Sequence, residues 1–294
     1  MKCIESILGD SYAAYQGDCV EVVAGLPAAS VDYAIFSPPF ASLYTYSNSP
    51  RDMGNCRSDE EFFAHFAHLI RELRRVMKGG RNVSFHCMLM PTSKERDGFI
   101  GLKDFRGDLI RAFQSEGFIY ASEVCIWKDP VTAMQRTKAL GLLHKTVRTN
   151  AAMSRQGIPD YLVTMRAPGD GDLSDRVQHG TDYPVDKWQK VASPVWMDID
   201  PSDTLQYRSA REHDDERHIC PLQLEVIRRG IDLWTNPGDV VLSPFMGIAS
   251  EGYVALEMGR RFVGVELKES YYRQAIQNLA QATSQSQLFP ATAA

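Results

Sequence analysis

A short apolar run that ends in two consecutive prolines is the feature that most constrains the fold of this chain. The run Val31–Phe36 consists mainly of apolar, β-prone residues, which is typical of an inner strand buried on both faces. The sequence Ser37-Pro38-Pro39-Phe40 follows at once. Because proline has no backbone N–H to donate to a sheet, the strand must end here and its last carbonyls lose their sheet partners.

The end of this predicted strand places hydrogen-bond acceptors beside an aromatic ring. The Ser37 hydroxyl and the Pro38 carbonyl accept hydrogen bonds, and Phe40 offers a flat apolar face. This combination suits a planar base that carries an exocyclic NH2 group. An ordinary strand end with a Pro-Pro turn and a core phenylalanine has the same residues, so that alternative stays open on this motif alone.

The composition indicates a soluble globular protein. With 294 residues, 44% of them hydrophobic, the chain is long enough for one large domain or a domain with an insertion. No apolar run is long enough to span a bilayer and the start lacks a signal-peptide layout, so we expect a cytoplasmic protein. Six cysteines without a C-x-x-C pair predict reduced thiols, with no zinc site and no disulfide framework. The net charge of -5 argues against non-specific coating of nucleic acid but leaves room for a local basic groove.

The second informative stretch is a strand-turn-helix-strand unit near the end of the chain. We predict a strand at Asp239–Leu242, a tight turn at Ser243–Ser250, a helix at Glu251–Met258 and a strand at Phe262–Glu266. An acid at the end of the second strand is how Rossmann-like folds hold the ribose hydroxyls of a nucleoside. The turn has neither G-x-G-x-x-G nor a basic residue, which disfavours a pyrophosphate ligand. A surface carboxylate at a strand end is the alternative for Glu266.

Other elements follow from capping and periodicity. Tyr12–Gln16 has the pattern of a strand, and Asp18 is placed to cap a short helix after it. Ser58 is placed to cap an amphipathic helix that we expect to end at Gly79-Gly80. A later helix is predicted to open around Pro221, since proline is favoured in a first turn.

A basic insertion lies within a predicted hairpin. Tyr120–Trp127 and Tyr161–Met165 are expected to pair as two strands, with residues 129–159 at the tip. Asp129 is the single acid in this insertion. Its basic residues are Arg136, Lys138, Lys145, Arg148 and Arg155. A solvated face is the common meaning of such a loop, and a groove for the phosphates of double-stranded DNA is the alternative that we carry forward.

The segment after the hairpin is acidic and weakly patterned. Residues 167–217 are rich in Asp, Pro, Ser and Gly, so we expect irregular structure rather than an independent fold. Trp188 and Trp196 argue against simple disorder. Residues 283–294 are predicted to be a disordered tail.

Taken in order, these motifs resemble the S-adenosylmethionine-dependent amino-methyltransferases of DNA, in the circular order called β. In that order the catalytic motif comes first, the target-recognition region follows, and the cofactor motif comes near the C-terminus. The resemblance extends from about Tyr12 to Leu279. The motifs that carry it are Gly17-Asp18, Ser37-Pro38-Pro39-Phe40, His218 with Pro221, Pro244-Phe245-Met246-Gly247 and Gly264-Val265-Glu266.

The resemblance implies an α/β fold. The expected architecture is a Rossmann-like methyltransferase sheet of seven strands, parallel except for the last, with helices on both faces. The catalytic domain would comprise residues 1–128, 160–166 and 218–282. Residues 129–159 would be the basic insertion for DNA, and 167–217 the target-recognition region.

The resemblance also assigns site residues. Ser37, Pro38, Pro39 and Phe40 would form the catalytic group that holds the target base. Glu266 would hold the ribose diol of S-adenosylmethionine. The cofactor would further be contacted by Asp18 near the adenine, by His218 and Pro221 near the methionine end, and by the turn with Pro244, Phe245 and Gly247. No metal is implied, and the partner would be double-stranded DNA, bound by a monomer or homodimer.

Two departures from the family pattern concern the cofactor turn. Ser243 stands where the family usually has Asp, and Ala249 replaces the second Gly of G-x-G. The methyl group of Ala249 would crowd the loop if that position needs a positive φ. A DNA-binding protein that has lost catalysis is the alternative that these departures favour, and an RNA or protein amide methyltransferase is another. Ser37 at the first motif position is, within the family, more typical of N4-cytosine than of N6-adenine enzymes.

Overall fold

The computed structural model describes residues 2–40, 52–131, 142–153, 155–171, 176–181, 183–206 and 221–288. The strands are β1 (Glu5–Leu8), β2 (Tyr12–Gln16), β3 (Val31–Phe36), β4 (Met77–Met88), β5 (Met90–Pro91), β6 (Leu102–Lys103), β7 (Ile119–Ile126), β8 (Asp160–Arg166), β9 (Val195–Trp196), β10 (Val240–Ser243) and β11 (Arg261–Glu266). The helices are α1 (Cys19–Ala24), α2 (Asp59–Val76), α3 (Lys94–Asp97), α4 (Phe105–Ser115), α5 (His144–Asn150), α6 (Val185–Ala192), α7 (Leu224–Trp234), α8 (Ser250–Glu257) and α9 (Glu269–Leu288).

The main sheet has nine strands in the order β1-β2-β11-β10-β3-β4-β8-β7-β9. Strands β2, β11, β10, β3 and β4 pair in parallel, whereas β8 runs antiparallel to both β4 and β7. The predicted hairpin is therefore confirmed as β7 and β8. The expected number of seven strands is wrong, because β1 and β9 extend the sheet at its two edges. Short edge strands of this kind cover backbone groups that would otherwise be left open to pairing.

Strand β3 is the central strand, and all six of its residues are buried. Ala34 and Phe36 pack into a core with helix α2, whereas Tyr33 and Ile35 pack into a second core with helix α7. The alternation of side chains along a strand produces this division. The expectation of an α/β fold with helices on both faces is confirmed.

Helix α2 begins at its predicted cap and ends earlier than expected. The backbone N–H of Glu61 donates to the Ser58 hydroxyl, and the helix ends at Val76, where the chain enters β4 directly. Gly79 and Gly80 lie within the strand. A Cβ atom at Gly80 would lie 3.1 Å from a backbone oxygen, so these glycines allow a close approach of the backbone rather than ending the helix.

Three other expectations about elements are corrected. Helix α7 begins at Leu224 with Gln223 as its N-cap, so Pro221 precedes the helix instead of opening it. The acidic segment contains helix α6 and strand β9 and is not irregular throughout. Helix α9 continues to Leu288, so residues 283–288 are helical, while residues 289–294 lie outside the described part of the chain.

The described cysteines are free, and Cys19, Cys56 and Cys87 are buried. Among the helices that the structure describes, none has the length and hydropathy needed to cross a bilayer.

Candidate active site

The two motif loops meet at one edge of the sheet. Strands β3 and β10 are parallel neighbours, so the loops that leave their carboxyl ends lie side by side. The rings of Phe36 and Phe245 have centroids 5.8 Å apart, and the Phe245 ring also stacks against Phe66 at 6.4 Å. The N-terminal and C-terminal motifs, which are about 200 residues apart in sequence, therefore lie next to each other at this edge.

The Ser-Pro-Pro-Phe tetrapeptide directly follows β3 at this edge of the sheet. Pro38 is buried, and Ser37, Pro39 and Phe40 are half-buried. The Phe40 ring packs against Phe105 at the start of α4, with ring centroids 6.1 Å apart. Packing from one side fixes the ring, and a fixed aromatic ring is suited to stacking on a base.

A group of polar side chains that the sequence did not predict lies behind Ser37. The Ser37 hydroxyl is 3.2 Å from Nδ1 of His86 on β4. Nε2 of the same ring is 3.0 Å from Oδ2 of Asp160, the first residue of β8, although its N–H bond is not well aligned with that oxygen. The ammonium of Lys128 lies 2.5 Å from the same carboxylate oxygen. We call Ser37, His86, Asp160 and Lys128 the serine-histidine cluster.

Asp160 carries the negative charge of this cluster. Its side chain is buried, which by itself raises the pKa of a carboxyl group, but His86 and Lys128 outweigh burial and hold the pKa below its usual value. The carboxylate is therefore ionised at neutral pH. A buried carboxylate with two cationic or hydrogen-bonding partners is compensated in the way that buried charges require.

The sequence carries only a faint signal for this cluster. His86 is a lone polar residue in an apolar strand, and Asp160 is a lone acid at the start of another. They become neighbours because β4 and β8 pair antiparallel with Met88 opposite Asp160. Spacing along the chain does not contain that register.

Glu266 ends β11 on the other side of the site. The backbone N–H groups of Gly247 and Lys268 donate to its two carboxylate oxygens, at 3.0 and 2.8 Å. Burial raises the pKa of Glu266 to about 7, the backbone N–H groups act against burial, and the negative charge of Asp52 adds to the upward shift. The Glu266 backbone oxygen also accepts a hydrogen bond from Gly17 at 2.9 Å, which ties the ends of β2 and β11 together.

Asp18 follows Gly17 and caps helix α1. Its Oδ1 atom accepts a hydrogen bond from the backbone N–H of Glu21 at 2.9 Å. The capping role that its position predicts is confirmed, and it leaves the carboxylate near the end of β2, beside the Glu266 strand.

The turn after β10 contains two residues in the left-handed region. Gly247 has φ +52° and Ala249 has φ +64°. The positive φ that was expected to disfavour alanine at position 249 is therefore present, at a cost of about 1–2 kcal/mol for a residue with a Cβ atom. Pro244 is buried in the same turn, and Met246 N–H donates to the Val265 carbonyl at 2.9 Å, which closes the turn onto β11.

Two features of this turn fit a bound polar ligand. A Cβ atom at Gly247 would meet no atom within 4 Å, so free space lies in front of the turn. The Ser243 hydroxyl is buried and has no hydrogen-bond partner among the described residues. Buried polar groups normally have partners, so an unsatisfied hydroxyl at the end of β10 is a feature that a ligand bound at this turn would explain.

The remaining predicted site residues either lie outside the described part of the chain or have no described contact with the two motif loops. Pro221 is half-buried ahead of α7, and His218 lies outside the described residues, as do Arg136 and Lys138. Lys145 and Arg148 are exposed on α5, a helix with no buried residue. Arg155 instead donates to the Gly101 carbonyl at 2.8 Å, and burial lowers the pKa of its guanidinium group.

Within the described ranges, no group of three or more His, Cys, Asp and Glu side chains is arranged to hold a metal ion.

Comparison with known proteins adds independent information. The family model for N6/N4 DNA methylases matches residues 31–277. The chain is 24% identical over 281 residues to the type II methyltransferase M.BglII of Bacillus subtilis, a match that covers 94% of this chain and 71% of that protein. It is also 24% identical over 272 residues to the DNA adenine methyltransferase YhdJ of Escherichia coli K12, covering 92% and 83%.

Solved structures share the fold. PvuII DNA methyltransferase (cytosine-N4-specific) superimposes with a TM-score of 0.65 at 15% identity, covering 96% of this chain and 94% of that one. TTHA0409 from Thermus thermophilus, in complex with S-adenosyl-L-methionine, superimposes with a TM-score of 0.64 at 21% identity, covering 91% and 94%. The family match spans most of the chain, including the β3 motif and the β10–β11 turn. This chain therefore belongs to the N6/N4 DNA methylase family.

Proposed function

We propose that this protein transfers a methyl group from S-adenosylmethionine to the exocyclic amine of a base flipped out of double-stranded DNA, with cytosine N4 as the target. The observation that carries the proposal is the contact between the two motif loops, with the Phe36 and Phe245 rings 5.8 Å apart. It brings the proposed base site at the end of β3 next to the proposed nucleoside site at the ends of β10 and β11.

The residues present fit the cofactor. Glu266 offers an acceptor carboxylate for the ribose hydroxyls, and the open space at Gly247 together with the unsatisfied Ser243 hydroxyl suits the methionine part. The structural neighbour TTHA0409 was solved with this cofactor. When bound, S-adenosylmethionine supplies an electrophilic methyl group on a positively charged sulfur.

The chain's own residues make the amine reactive. An exocyclic amine conjugated with its ring is a poor nucleophile, because its lone pair is delocalised. The Ser37 hydroxyl and the Pro38 carbonyl accept the two N–H bonds, which favours a pyramidal nitrogen whose lone pair is free to attack. This mechanism requires positioned acceptors rather than a strong base.

Phe40 helps to hold the base outside the duplex. Flipping costs a few kcal/mol, and stacking on an aromatic side chain returns about 1–3 kcal/mol per base. The Phe40 ring is already supported by Phe105, so little conformational freedom is lost when a base stacks on it.

One experiment decides whether cytosine or adenine is the target base. Ser37 favours cytosine N4, whereas YhdJ is named a DNA adenine methyltransferase, which keeps adenine N6 as the second candidate. DNA is incubated with the protein and cofactor that carries a labelled methyl group, and its nucleosides are analysed by mass spectrometry. We expect labelled N4-methylcytosine. Labelled N6-methyladenine would mean that adenine, and not cytosine, is the target base. A label found only in RNA or protein would mean that the protein methylates those substrates instead of DNA. DNA binding without cofactor binding would indicate loss of catalysis.

A further inference from the structure

We propose that His86 and Asp160 are positioning residues that turn the Ser37 hydroxyl into an acceptor for the target amine. The proposal rests on the proposed function, since it concerns the same base site, but it assigns residues and a role that the motifs do not contain. It starts from the three consecutive contacts of the serine-histidine cluster.

The first step concerns the position of the imidazole proton. A neutral imidazole has one N–H, and the atom that carries it is set by the partners of the two ring nitrogens. Nε2 of His86 lies 3.0 Å from the buried, ionised Asp160 carboxylate, which accepts hydrogen bonds and cannot donate one. The N–H is not well aligned with that oxygen, so the preference rests on charge: the negative carboxylate favours the proton on the nearer ring nitrogen, Nε2, and Nδ1 is left as an acceptor.

The second step concerns Ser37. Its hydroxyl has one proton and two lone pairs, and it lies 3.2 Å from the acceptor Nδ1. The hydroxyl proton is donated to His86, so the lone pairs remain for another donor. If the other tautomer were present, Nδ1–H would donate to Ser37 and the hydroxyl proton would be free to point at the base.

The orientation of that proton decides which base is accepted. A hydroxyl with free lone pairs accepts an N–H bond from an exocyclic amine. The same hydroxyl has no proton to donate to the carbonyl oxygen that uracil or thymine carries at that ring position. The hydroxyl oxygen and the carbonyl oxygen would then face each other without a hydrogen bond, which is costly in a site without water. The cluster thereby selects amino bases over keto bases.

Lys128 completes the arrangement by compensating the charge. Lys128 lies two residues after β7, its ammonium group contacts the same Asp160 oxygen that His86 approaches, and its side chain is partly exposed. Without it the charge of the buried Asp160 carboxylate would be compensated, among the described residues of the cluster, by the contact with the imidazole alone.

The first arm of the test does not depend on catalysis. Protein labelled with 15N in histidine is studied by NMR, and the His86 signals are assigned from their loss in His86→Asn. We expect the tautomer with the proton on Nε2, and a change in the Nδ1 shift in Ser37→Ala. A proton on Nδ1 would overturn the proposal, whether or not the protein methylates DNA.

The second arm measures turnover in two His86 variants. His86→Leu removes the acceptor for the Ser37 proton, whereas the side-chain oxygen of His86→Asn keeps an acceptor near the position of Nδ1. We expect kcat to fall about tenfold or more in His86→Leu and to be largely retained in His86→Asn, with unchanged cofactor affinity in both.

The double variant separates positioning from a general effect on the fold. If His86 acts through Ser37, then adding His86→Leu to Ser37→Ala causes little further loss of kcat. Losses that multiply would overturn the proposal, and so would wild-type turnover in His86→Leu. Thermal unfolding and cofactor binding show that each variant is folded. Wild-type protein that methylates no DNA would contradict the proposed function instead, and the NMR arm would still decide the position of the proton.

Discussion

Glu266 combines burial with two backbone hydrogen bonds, and this makes its charge sensitive to pH near neutrality. Its pKa of about 7 lies above the usual value because burial disfavours the charged carboxylate. The ionised form is the better acceptor for two ribose hydroxyls. We therefore expect cofactor affinity to fall as the pH drops through 7 and Glu266 takes up a proton.

Calorimetric titration of the cofactor at pH 6 and pH 8 checks this expectation, as conditions on either side of that pKa. In Glu266→Gln, which cannot ionise, affinity is expected to be weaker and nearly constant between the two conditions. An equal pH dependence in wild type and Glu266→Gln would show that another group is responsible.

A change at Phe40 is expected to weaken binding of the target DNA without affecting binding of the cofactor. Phe40→Ala removes the stacking surface, so we expect DNA affinity to fall by about 1–3 kcal/mol, with cofactor affinity unchanged. Fluorescence anisotropy with labelled duplex DNA and calorimetry with the cofactor measure the two quantities.

Phe63→Ala is the matched control, because Phe63 packs against the same Phe105 ring at 5.9 Å. If both variants lose the same DNA affinity, the loss comes from disturbed packing around Phe105 and the assignment of Phe40 to the base is wrong.

At this scale the sequence predicted residues that belong to contiguous motifs. The Ser37–Phe40 tetrapeptide and the turn before Glu266 lie at the ends of strands that their own composition predicts, so their meeting at one edge followed from the parallel sheet. His86 and Asp160 were missed because strand register, and not spacing, makes them neighbours.

Among the elements, α5 offers the clearest test of how DNA is bound. None of its residues is buried, and it presents Lys145 and Arg148 to solvent. Together with Arg136 and Lys138, which lie outside the described residues, these cations belong to the basic insertion that is predicted to contact phosphates. We expect neutralisation of all four to flatten the salt dependence of DNA binding, by about 0.9 in the logarithmic slope for each cation that contacts a phosphate.

DNA affinity measured over a range of salt concentrations gives the slope. A second fourfold variant, at the exposed cations Lys94, Arg166, Lys190 and Arg273 outside the insertion, serves as control because it makes the same change in net charge. A slope that stays the same in the fourfold variant of the insertion would place the phosphate contacts elsewhere on the protein.

Elements with strong periodicity or a clear cap were predicted well, and elements that depend on distant partners were not. The buried residues of β3 and α2 follow from the apolar pattern of their own sequences. Strand β9 is only two residues long and exists because Cys125 and Ile126 of β7 offer a place to pair. Helix α7 starts after Pro221, and the backbone N–H of its first residue, Leu224, donates to the Asp203 backbone carbonyl at 2.9 Å, a contact that no local pattern reveals.

At the scale of the whole molecule, a largely buried network of ion pairs joins the N-terminal strands β3 and β4 to the C-terminal strand β10. It lies at the sheet edge opposite the two motif loops. One Arg81 nitrogen lies 2.9 Å from Asp32 of β3 and 3.0 Å from Asp239, just before β10. Lys78 pairs with Asp32 at 2.9 Å, and the other Asp32 oxygen accepts the N–H of Val240. The network therefore holds β3, β4 and β10 in register.

Asp32→Ala leaves the buried Arg81 without its main partner, so we expect a loss of about 3–5 kcal/mol in the free energy of unfolding. Urea unfolding followed by circular dichroism measures it. Asp108→Ala is the control, since it breaks the exposed pair with Arg111, for which a loss of less than about 1 kcal/mol is expected. Equal losses in the two variants would mean that the network does not hold the halves together.

Parts of the sheet that are far apart in sequence are also neighbours. Helix α9 packs against β2, where the Tyr272 hydroxyl donates to the Ala14 carbonyl at 3.4 Å, and β2 pairs in parallel with β11. Strand β2 is made early in synthesis, whereas its parallel neighbour β11 and the helix that covers it are made about 250 residues later. The first strands of the sheet therefore have to wait for the last ones, and this part of the fold forms only when nearly the whole chain has been synthesised.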